Sequence, residues 1–208
     1  MSAGTAAAPP NPVRDAAYYQ QVHEENAAYQ QNNWLVDEIE GLADFGAASI
    51  LELACGNGRF LELAAARFDR VYACDWAQPP RLAGVLAAHA NVSFFRTDLY
   101  RELPPCRADL VVSADFLEHI APESLTDVLR RIDALAARAF HKIACYDDGH
   151  SHLSVLPPAA WRDLFQAIDP AYQLERVDDR YGDAARQVAV IVKGRPGPPR
   201  VAQRGGER

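Results

Sequence analysis

The sequence lacks several features that would place it in a specialised class of protein. Its four cysteines, Cys55, Cys74, Cys106 and Cys145, form no C-x-x-C pair, which disfavours zinc-ribbon and thioredoxin-like sites. No apolar stretch approaches the ~18 residues that a membrane-spanning helix needs. The N-terminus has no basic segment followed by an apolar one, so we expect no secretory leader. A reduced, cytoplasmic protein without membrane contact is the resulting prediction.

Positive charge is also scarce. Lys and Arg together number 21 against 28 Asp and Glu, and the formal net charge is −7 at pH 7. Phosphate backbones and anionic membrane surfaces attract clustered basic residues, so nucleic acid and membrane are not expected as partners. The 208 residues suit one globular domain. We predict disordered tails at 1–13 and 195–208, which are poor in apolar residues, and a single domain at 14–194.

Between the tails, short apolar runs alternate with segments of helical periodicity. The predicted strands are 49–54, 70–74, 92–96, 108–114, 142–146, 172–178 and 186–193. The predicted helices are 14–41, as one or two helices, 59–67, 80–88, 122–137 and 157–168. This alternation predicts a doubly wound α/β sheet. Only 179–185 separate the last two strands, which is too short for a parallel crossover, so an antiparallel hairpin should close one edge.

Two strand ends carry residues suited to a nucleotide-like ligand. Ligands of open α/β sheets bind beyond the carboxyl ends of the strands. The first strand runs into Glu52-Leu-Ala-Cys-Gly-Asn-Gly58, whose glycines allow a tight turn and close backbone approach. The second strand ends at Asp75, whose carboxylate can accept from both hydroxyls of a ribose. An NAD-dependent oxidoreductase is one alternative, although Leu61 stands where its glycine fingerprint requires the third glycine.

The order of these strand ends resembles that of class I (Rossmann-like) S-adenosylmethionine (SAM)-dependent methyltransferases. The first turn is similar to their motif (D/E)-x-G-x-G-x-G, with Ala54 replacing the first glycine and disfavouring a left-handed backbone there. The segment Leu117-Glu-His119 after strand four resembles one found in small-molecule members. The resemblance covers about residues 45–193. It implies a mostly parallel seven-stranded sheet with an antiparallel last strand, and SAM as the cofactor.

The resemblance also implies which residues bind the cofactor. Those at the strand ends are Glu52, Ala54, Gly56, Gly58, Asp75, Trp76, Asp98, Leu99 and Asp115. Asp98 would accept from the adenine amino group, or else cap the next turn. Trp76 would lie along the adenine, or else pack against the protein. N-terminal helices of this family often close over the ligands, so 14–45 is predicted to be a lid that brings Tyr18 and Tyr19 near the donor; an exposed helix is the alternative.

Three histidines are candidates for catalysis on the acceptor side. His119 follows strand four on the ligand side, and imidazole titrates near neutral pH, so it suits a general base; a packed or capping histidine is the alternative. His150 and His152 alternate in the loop 147–152 and would point the same way in an extended segment. Two acids and two histidines could also hold a metal ion. We favour a polar loop lying against the substrate and predict no metal.

The predicted function is transfer of a methyl group from SAM to an oxygen or nitrogen of a small molecule, sugar-linked or a secondary metabolite. Methyltransferases of nucleic-acid base amines often carry Asn/Asp-Pro-Pro-Tyr/Phe after strand four, whereas this chain has Ser113-Ala-Asp-Phe116. A non-catalytic SAM-fold partner subunit is a further alternative. A small-molecule acceptor is the expected partner, and a homodimer is left open.

Overall fold

Seven strands form the centre of the structure, a computed structural model that describes residues 11–195. They are β1 (Ser49–Leu53), β2 (Arg70–Asp75), β3 (Val92–Arg96), β4 (Leu110–Ala114), β5 (Arg138–Ala144), β6 (Gln173–Asp179) and β7 (Gln187–Lys193). Of the predicted tails, residues 1–10 and 196–208 lie outside the described residues.

The strand order is β3-β2-β1-β4-β5-β7-β6. β1 to β5 are mutually parallel, and β7 runs antiparallel to both of its neighbours, β5 and β6. The predicted doubly wound sheet with an antiparallel last strand is therefore confirmed. The direction of winding reverses at β1 and β4, which opens a crevice beyond their carboxyl ends.

Seven α-helices accompany the sheet within the described residues. They are α1 (Ala16–Glu25), α2 (Ala27–Gln31), α3 (Ile39–Ala43), α4 (Arg59–Ala64), α5 (Pro80–Ala88), α6 (Pro122–Asp133) and α7 (Pro158–Ile168). The last three begin with proline, which suits the first helical turn because that turn has no intrahelical use for an N–H. None of the described helices is long and apolar enough to cross a membrane.

The fifth strand is the main correction to the predicted elements. It was expected at 142–146 and occupies Arg138–Ala144, because α6 ends at Asp133 rather than at 137. The alanine-rich run 134–137 fits helical periodicity, so sequence alone does not separate it from α6. Pairing with β7, from Ala139 opposite Lys193 to Ala144 opposite Val188, determines the strand.

Apolar side chains cover the sheet on both faces. Ile50 packs in one layer with helix residues such as Phe60 and Leu82. Leu51 and Leu53 point to the other layer, which contains residues of α6 and α7 such as Trp161. This alternation along β1 follows from the period of two in a strand. The two packed layers hold the carboxyl end of β1 in place, so the turn after it has a rigid base.

Candidate active site at the carboxyl ends of the strands

A cavity of about 310 Å³ lies beyond the carboxyl ends of β1, β2 and β4. Its volume is at the lower end of the ~300–1,000 Å³ usual for small-molecule pockets. The residues predicted from the sequence that line it are Tyr19, Glu52, Ala54, Gly56, Asp75, Trp76, Leu99, Asp115, His119 and His152. The predicted residues that do not line it are Tyr18, Gly58, Asp98 and His150.

The turn after β1 has a left-handed backbone at three alternate positions, with φ of 53° at Ala54, 51° at Gly56 and 72° at Gly58. Ala54 thus takes the conformation that its side chain was expected to disfavour. A Cβ at Gly56 would lie 3.0 Å from Cε1 of His23 on α1, and one at Gly58 would lie 3.2 Å from Leu82 on α5. Gly56 therefore lets the N-terminal segment approach the turn, and Gly58 lets α5 pack.

Asp75 links the end of β2 to this turn. Its Oδ2 accepts from the backbone N–H of Gly56 at 2.9 Å, and its Oδ1 accepts from that of Ala77 at 2.8 Å. Burial raises the pKa of Asp75 above its ordinary value, while those N–H groups and the nearby His23 oppose the rise. Each carboxylate oxygen has two lone pairs, so both keep capacity for a further donor.

Glu52 is a buried acid with one free oxygen. Asn33 Nδ2 donates to its Oε1 at 3.1 Å, and its Oε2 is buried without a hydrogen-bond partner among the described residues. Burial raises the pKa of Glu52 well above its usual range. An unpaired buried polar atom is costly, so this atom on the cavity wall is suited to meet a polar ligand.

Aromatic rings form a flat wall beside Asp75. Trp76 stacks on Tyr100 with ring centroids 6.1 Å apart and an interplanar angle of 20°. Tyr19 also lies against this indole, with centroids 5.8 Å apart and an interplanar angle of 32°. Rings arranged in this way can hold a planar heterocycle.

Asp98 caps a turn beside the cavity. Its Oδ1 accepts from the N–H of Tyr100 at 3.0 Å, and its Oδ2 lies 3.4 Å from Arg101. The adjacent Thr97 and Leu99 line the cavity in its place. This arrangement matches the capping alternative for Asp98.

The N-terminal helices lie over the cavity. The Tyr19 hydroxyl lies 3.2 Å from Nδ1 of His119. Asn57, in the turn after β1, donates through Nδ2 to the backbone oxygens of Tyr29 at 2.7 Å and Asn32 at 3.0 Å. These contacts join α1, α2 and the turn into one wall of the cavity, and the role of this segment as a lid stays a prediction.

Two imidazoles meet a carboxylate where the chain leaves β4. Asp115 has a left-handed backbone, with φ of 55°. His119 places Nδ1 at 3.1 Å from the carbonyl oxygen of Ser151, and His152 places Nδ1 at 2.6 Å from that of Tyr146. The Nε2 atoms lie 4.0 Å (His119) and 3.9 Å (His152) from Oδ1 of Asp115. Burial lowers the pKa of His119, and Asp115 partly opposes that effect.

Asp148 organises the loop that carries His152. Burial alone would raise the pKa of Asp148, but the N–H groups of Ser151 and His152 and the Ser151 hydroxyl hold it well below the usual range. The hydroxyl donates to Oδ2 at 2.7 Å. His150, in contrast, has a half-exposed side chain whose Nε2 contacts the Tyr18 hydroxyl. Of the two predicted loop histidines, only His152 faces the cavity.

The sequence argument assigned no site role to several wall residues. Important ones are His23, Asn33, Tyr100, Tyr146 and Asp148. His23 and Asn33 belong to the N-terminal stretch rich in polar and aromatic residues, and Asp148 belongs to the loop 147–152. The sequence therefore indicated that these segments lie near the site, but not which of their residues form its wall. Tyr100 stands four residues after the end of β3 and Tyr146 two after the end of β5, and no pattern distinguishes them.

Comparison with known proteins agrees with this geometry. Residues 50–138 match the family model described as a methyltransferase domain. Residues 50–138 are thus similar to a methyltransferase domain, and the seven-stranded sheet has the class I methyltransferase fold. The turn at Gly56, Asp75 and Asp115 all lie within the matched range. This match gives no support to the NAD-dependent alternative.

Solved structures of methyltransferases share the fold. One is the 1,6-didemethyltoxoflavin N1-methyltransferase of Burkholderia thailandensis with S-adenosylhomocysteine (SAH) bound: 18% identity, TM-score 0.63, covering 88% of this chain and 93% of that one. Another, the magnesium protoporphyrin IX methyltransferase of Synechocystis PCC 6803 with SAM bound, has 15% identity and TM-score 0.59, covering 91% and 100%. An O-methyltransferase family protein of Burkholderia thailandensis has 19% identity and TM-score 0.58, covering 79% and 56%. No curated protein matches the chain.

The wall of the cavity fits SAM as the methyl donor. The left-handed turn at Gly56 leaves room for close approach, and Asp75 keeps lone pairs for ribose hydroxyls. The rings of Trp76 and Tyr100 suit an adenine, and the unpaired Oε2 of Glu52 can accept from a polar group. The donor set is therefore that of a nucleoside site.

Proposed function

We propose that this methyltransferase transfers a methyl group from SAM to an oxygen or nitrogen of a small molecule, sugar-linked or a secondary metabolite. One observation carries the proposal. His119 and His152, whose Nε2 atoms make no hydrogen bond to the described residues, line the same cavity as Asp75 and the turn at Gly56. A site for the donor and a group able to accept a proton thus share one cavity. The solved relatives, which include an N-methyltransferase and an O-methyltransferase family protein, support both acceptor atoms.

On the donor side, side chains and backbone of this chain would bind SAM and orient it. Asp75 would accept from the ribose, Trp76 would cover one face of the adenine, and the backbone at Gly56 would lie against the donor. SAM supplies an electrophilic methyl carbon on a sulfonium ion. Holding donor and acceptor in line can contribute ~7–11 kcal/mol to lowering the barrier. Tyr19 would close over both, because its ring lies against Trp76 and its hydroxyl lies near His119.

On the acceptor side, His119 would take the proton. Its Nδ1 donates to the Ser151 carbonyl, so Nε2 is the unprotonated atom of the neutral ring. Asp115, 4.0 Å from that Nε2, would stabilise the imidazolium that forms. His152 lies beside His119, with ring centroids 4.9 Å apart, and would help to position the acceptor. General-base help of this kind contributes ~10²–10⁴-fold.

The proposal predicts separate effects of Asp75 and His119. Titration calorimetry of wild-type protein should show binding of SAM and SAH but not of NAD. Asp75→Asn should weaken SAM binding about 10- to 100-fold, because it removes a charge-assisted acceptor worth ~1.5–3 kcal/mol. His119→Asn should bind SAM normally and lose ~10²–10⁴-fold in turnover. Turnover can be followed as SAH release with a panel of sugar nucleotides, phenols and aromatic amines.

His89→Asn is the matched control, because His89 ends α5 away from the cavity wall. It should leave both quantities unchanged. Binding of NAD without either adenosyl ligand would refute the donor assignment. Normal turnover in His119→Asn would remove His119 as the base and leave the donor assignment standing.

A further inference from the structure

Three ligand-type atoms converge at the end of β4 without bonding to one another. We call them the His-His-Asp cluster: His119 Nε2, His152 Nε2 and Asp115 Oδ1. The carboxylate oxygen lies 4.0 Å and 3.9 Å from the two nitrogens, which is too long for hydrogen bonds. Together with Glu118, these residues each offer one ligand atom, and the four atoms lie within 4.8 Å of one another. Ligands at ~2.0–2.2 Å from a shared metal ion are roughly 3–4 Å apart, so this spacing suits one ion.

Both imidazoles are held in the orientation that a metal ion requires. His119 donates from Nδ1 to the carbonyl of Ser151 at 3.1 Å, and His152 donates from Nδ1 to that of Tyr146 at 2.6 Å. A donating Nδ1 fixes the tautomer whose Nε2 has a free lone pair. Metal-ligating histidines almost always have such a partner on the second ring nitrogen.

Burial gives an independent indication that a ligand belongs here. The His152 side chain is only 4% exposed, and its Nε2 has no hydrogen bond among the described residues. Oε2 of Glu118 is also buried without a partner among those residues. Asp148 adds a third carboxylate beside those of Asp115 and Glu118, with Oδ2 at 3.8 Å from Nε2 of His152. A buried carboxylate oxygen without a partner is costly, and a cation beside Glu118 would satisfy it.

We propose that the His-His-Asp cluster binds one divalent transition-metal ion. Two imidazoles and a carboxylate suit Zn²⁺, Fe²⁺ or Mn²⁺ better than Mg²⁺ or Ca²⁺, which prefer oxygen ligands alone. Because Asp115, His119 and His152 line the cavity, the remaining coordination positions would face the acceptor. Sequence analysis predicted no metal, so this inference departs from that expectation.

The metal ion also narrows the acceptor class, a step that rests on the proposed function. A bound hydroxyl would lose its proton to solvent more readily, because a divalent ion lowers the pKa of a coordinated oxygen. The oxygen–carbon bond then forms as the carbon–sulfur bond of SAM breaks, which leaves SAH. In this metal-bound form the imidazoles hold the ion, and release of the proton to solvent replaces its transfer to His119. The preferred acceptor is therefore a hydroxyl compound.

The test is metal uptake by the full chain after treatment with a chelator. Equilibrium dialysis against Zn²⁺, with metal analysis, should give one ion per chain, and Co²⁺ should give the visible absorption of a nitrogen- and oxygen-ligated ion. His119→Asn and His152→Asn should each weaken uptake about 100-fold or more. His89→Asn should bind like wild type. Circular dichroism and SAM titration of each variant will show whether it is folded.

Three outcomes decide the matter without relying on activity. Failure of wild-type protein to take up one ion would overturn the metal site whatever the variants do. Equal uptake by the folded His119→Asn or His152→Asn protein would overturn it as well. SAM titration of the same metal-free sample separates the two proposals: intact SAM binding with no metal uptake defeats only the metal site, whereas absent SAM binding defeats the proposed function.

Discussion

Backbone strain in single residues is concentrated at strand ends that face the cavity. Of the three non-glycine residues with a left-handed backbone in the described part of the chain, Ala54 follows β1 and Asp115 follows β4, and the third is Tyr181. Such a residue costs ~1–2 kcal/mol when it is not glycine. Aspartate tolerates this conformation because its short side chain can bond locally, but alanine has no such compensation. The surrounding layers must therefore impose the conformation of Ala54.

Replacing Ala54 with glycine should stabilise the protein. Glycine adopts φ near 53° without strain, and its extra freedom in the unfolded chain offsets ~0.5–1 kcal/mol of the gain. We expect Ala54→Gly to raise the free energy of unfolding by about 0.5–1 kcal/mol in thermal or urea denaturation. Ala87→Gly, in the exposed part of α5, should lower it by about the same amount. Loss of stability in Ala54→Gly comparable to the loss in Ala87→Gly would contradict the strain argument.

How far the site could be predicted depends on whether a residue's position follows from the strand pattern. Asp75 and His119 follow directly from strand ends, and parallel strands bring their ends to one edge of the sheet. His23 lies 52 positions before Asp75, and only the packing of α1 across the sheet brings them together. Asp98 shows a second limit: a strand end fixes where the chain is, but the turn that follows determines where the side chain points.

At the scale of elements, polar contacts help to hold α1 and the segment before it over the cavity, and none of the α1 residues is fully buried. The Tyr18 hydroxyl contacts Nε2 of His150, and Arg14 donates to the His150 carbonyl at 3.4 Å. Asn11 donates to Asp147 at 2.8 Å. Elements with few buried apolar contacts open at low free-energy cost. We therefore infer that α1 can open to admit ligands while the sheet stays folded.

Removing one of these contacts should loosen α1 alone. Tyr18→Phe deletes the hydroxyl that meets His150, a change worth ~1 kcal/mol. Hydrogen exchange of the α1 amides should then become about 5-fold faster, with the amides of α6 unchanged as an internal reference. Tyr181→Phe removes a hydroxyl from a side chain that is 79% exposed and should leave α1 exchange as it is. Unchanged α1 exchange in Tyr18→Phe would mean that other contacts hold α1 in place.

Helices with a regular spacing of apolar residues were predicted well, whereas strands whose bounds depend on pairing with a distant part of the chain were not. α6 presents Leu125, Val128 and Leu129 at helical spacing, and α7 begins at a proline pair. The start of β5 depends on pairing with β7, about 50 residues later, which no local pattern records. The break between α1 and α2 falls at Asn26, whose side chain accepts from the Ala28 N–H and so begins a new helix.

At the scale of the whole molecule, stability depends on a histidine in the middle of the sheet. His141 on β5 is fully buried, its ring stacks on Phe165 with centroids 5.2 Å apart, and its Nδ1 lies 2.8 Å from the Ser113 hydroxyl. Burial, and to a smaller extent the charge of Lys193, lowers the pKa of His141 to about 3. The folded protein therefore keeps this imidazole neutral, whereas the unfolded chain protonates it near pH 6.5.

As a consequence, the free energy of unfolding should decrease as the pH is lowered below neutrality. Between pH 6.5 and 3, His141 binds a proton in the unfolded state and not in the folded state, so the free energy of unfolding rises with pH. Its contribution should be lost as the pH falls, by up to about 1.4 kcal/mol per pH unit. Urea denaturation at pH 7, 6 and 5 should show a smaller slope in His141→Gln than in wild type, even if the variant is less stable at pH 7. Because other groups titrate equally in both proteins, the difference between the slopes isolates His141.

The control is His89→Gln, which changes a partly exposed histidine and should keep the wild-type slope. Equal slopes in all three proteins would show that His141 is protonated in the folded state.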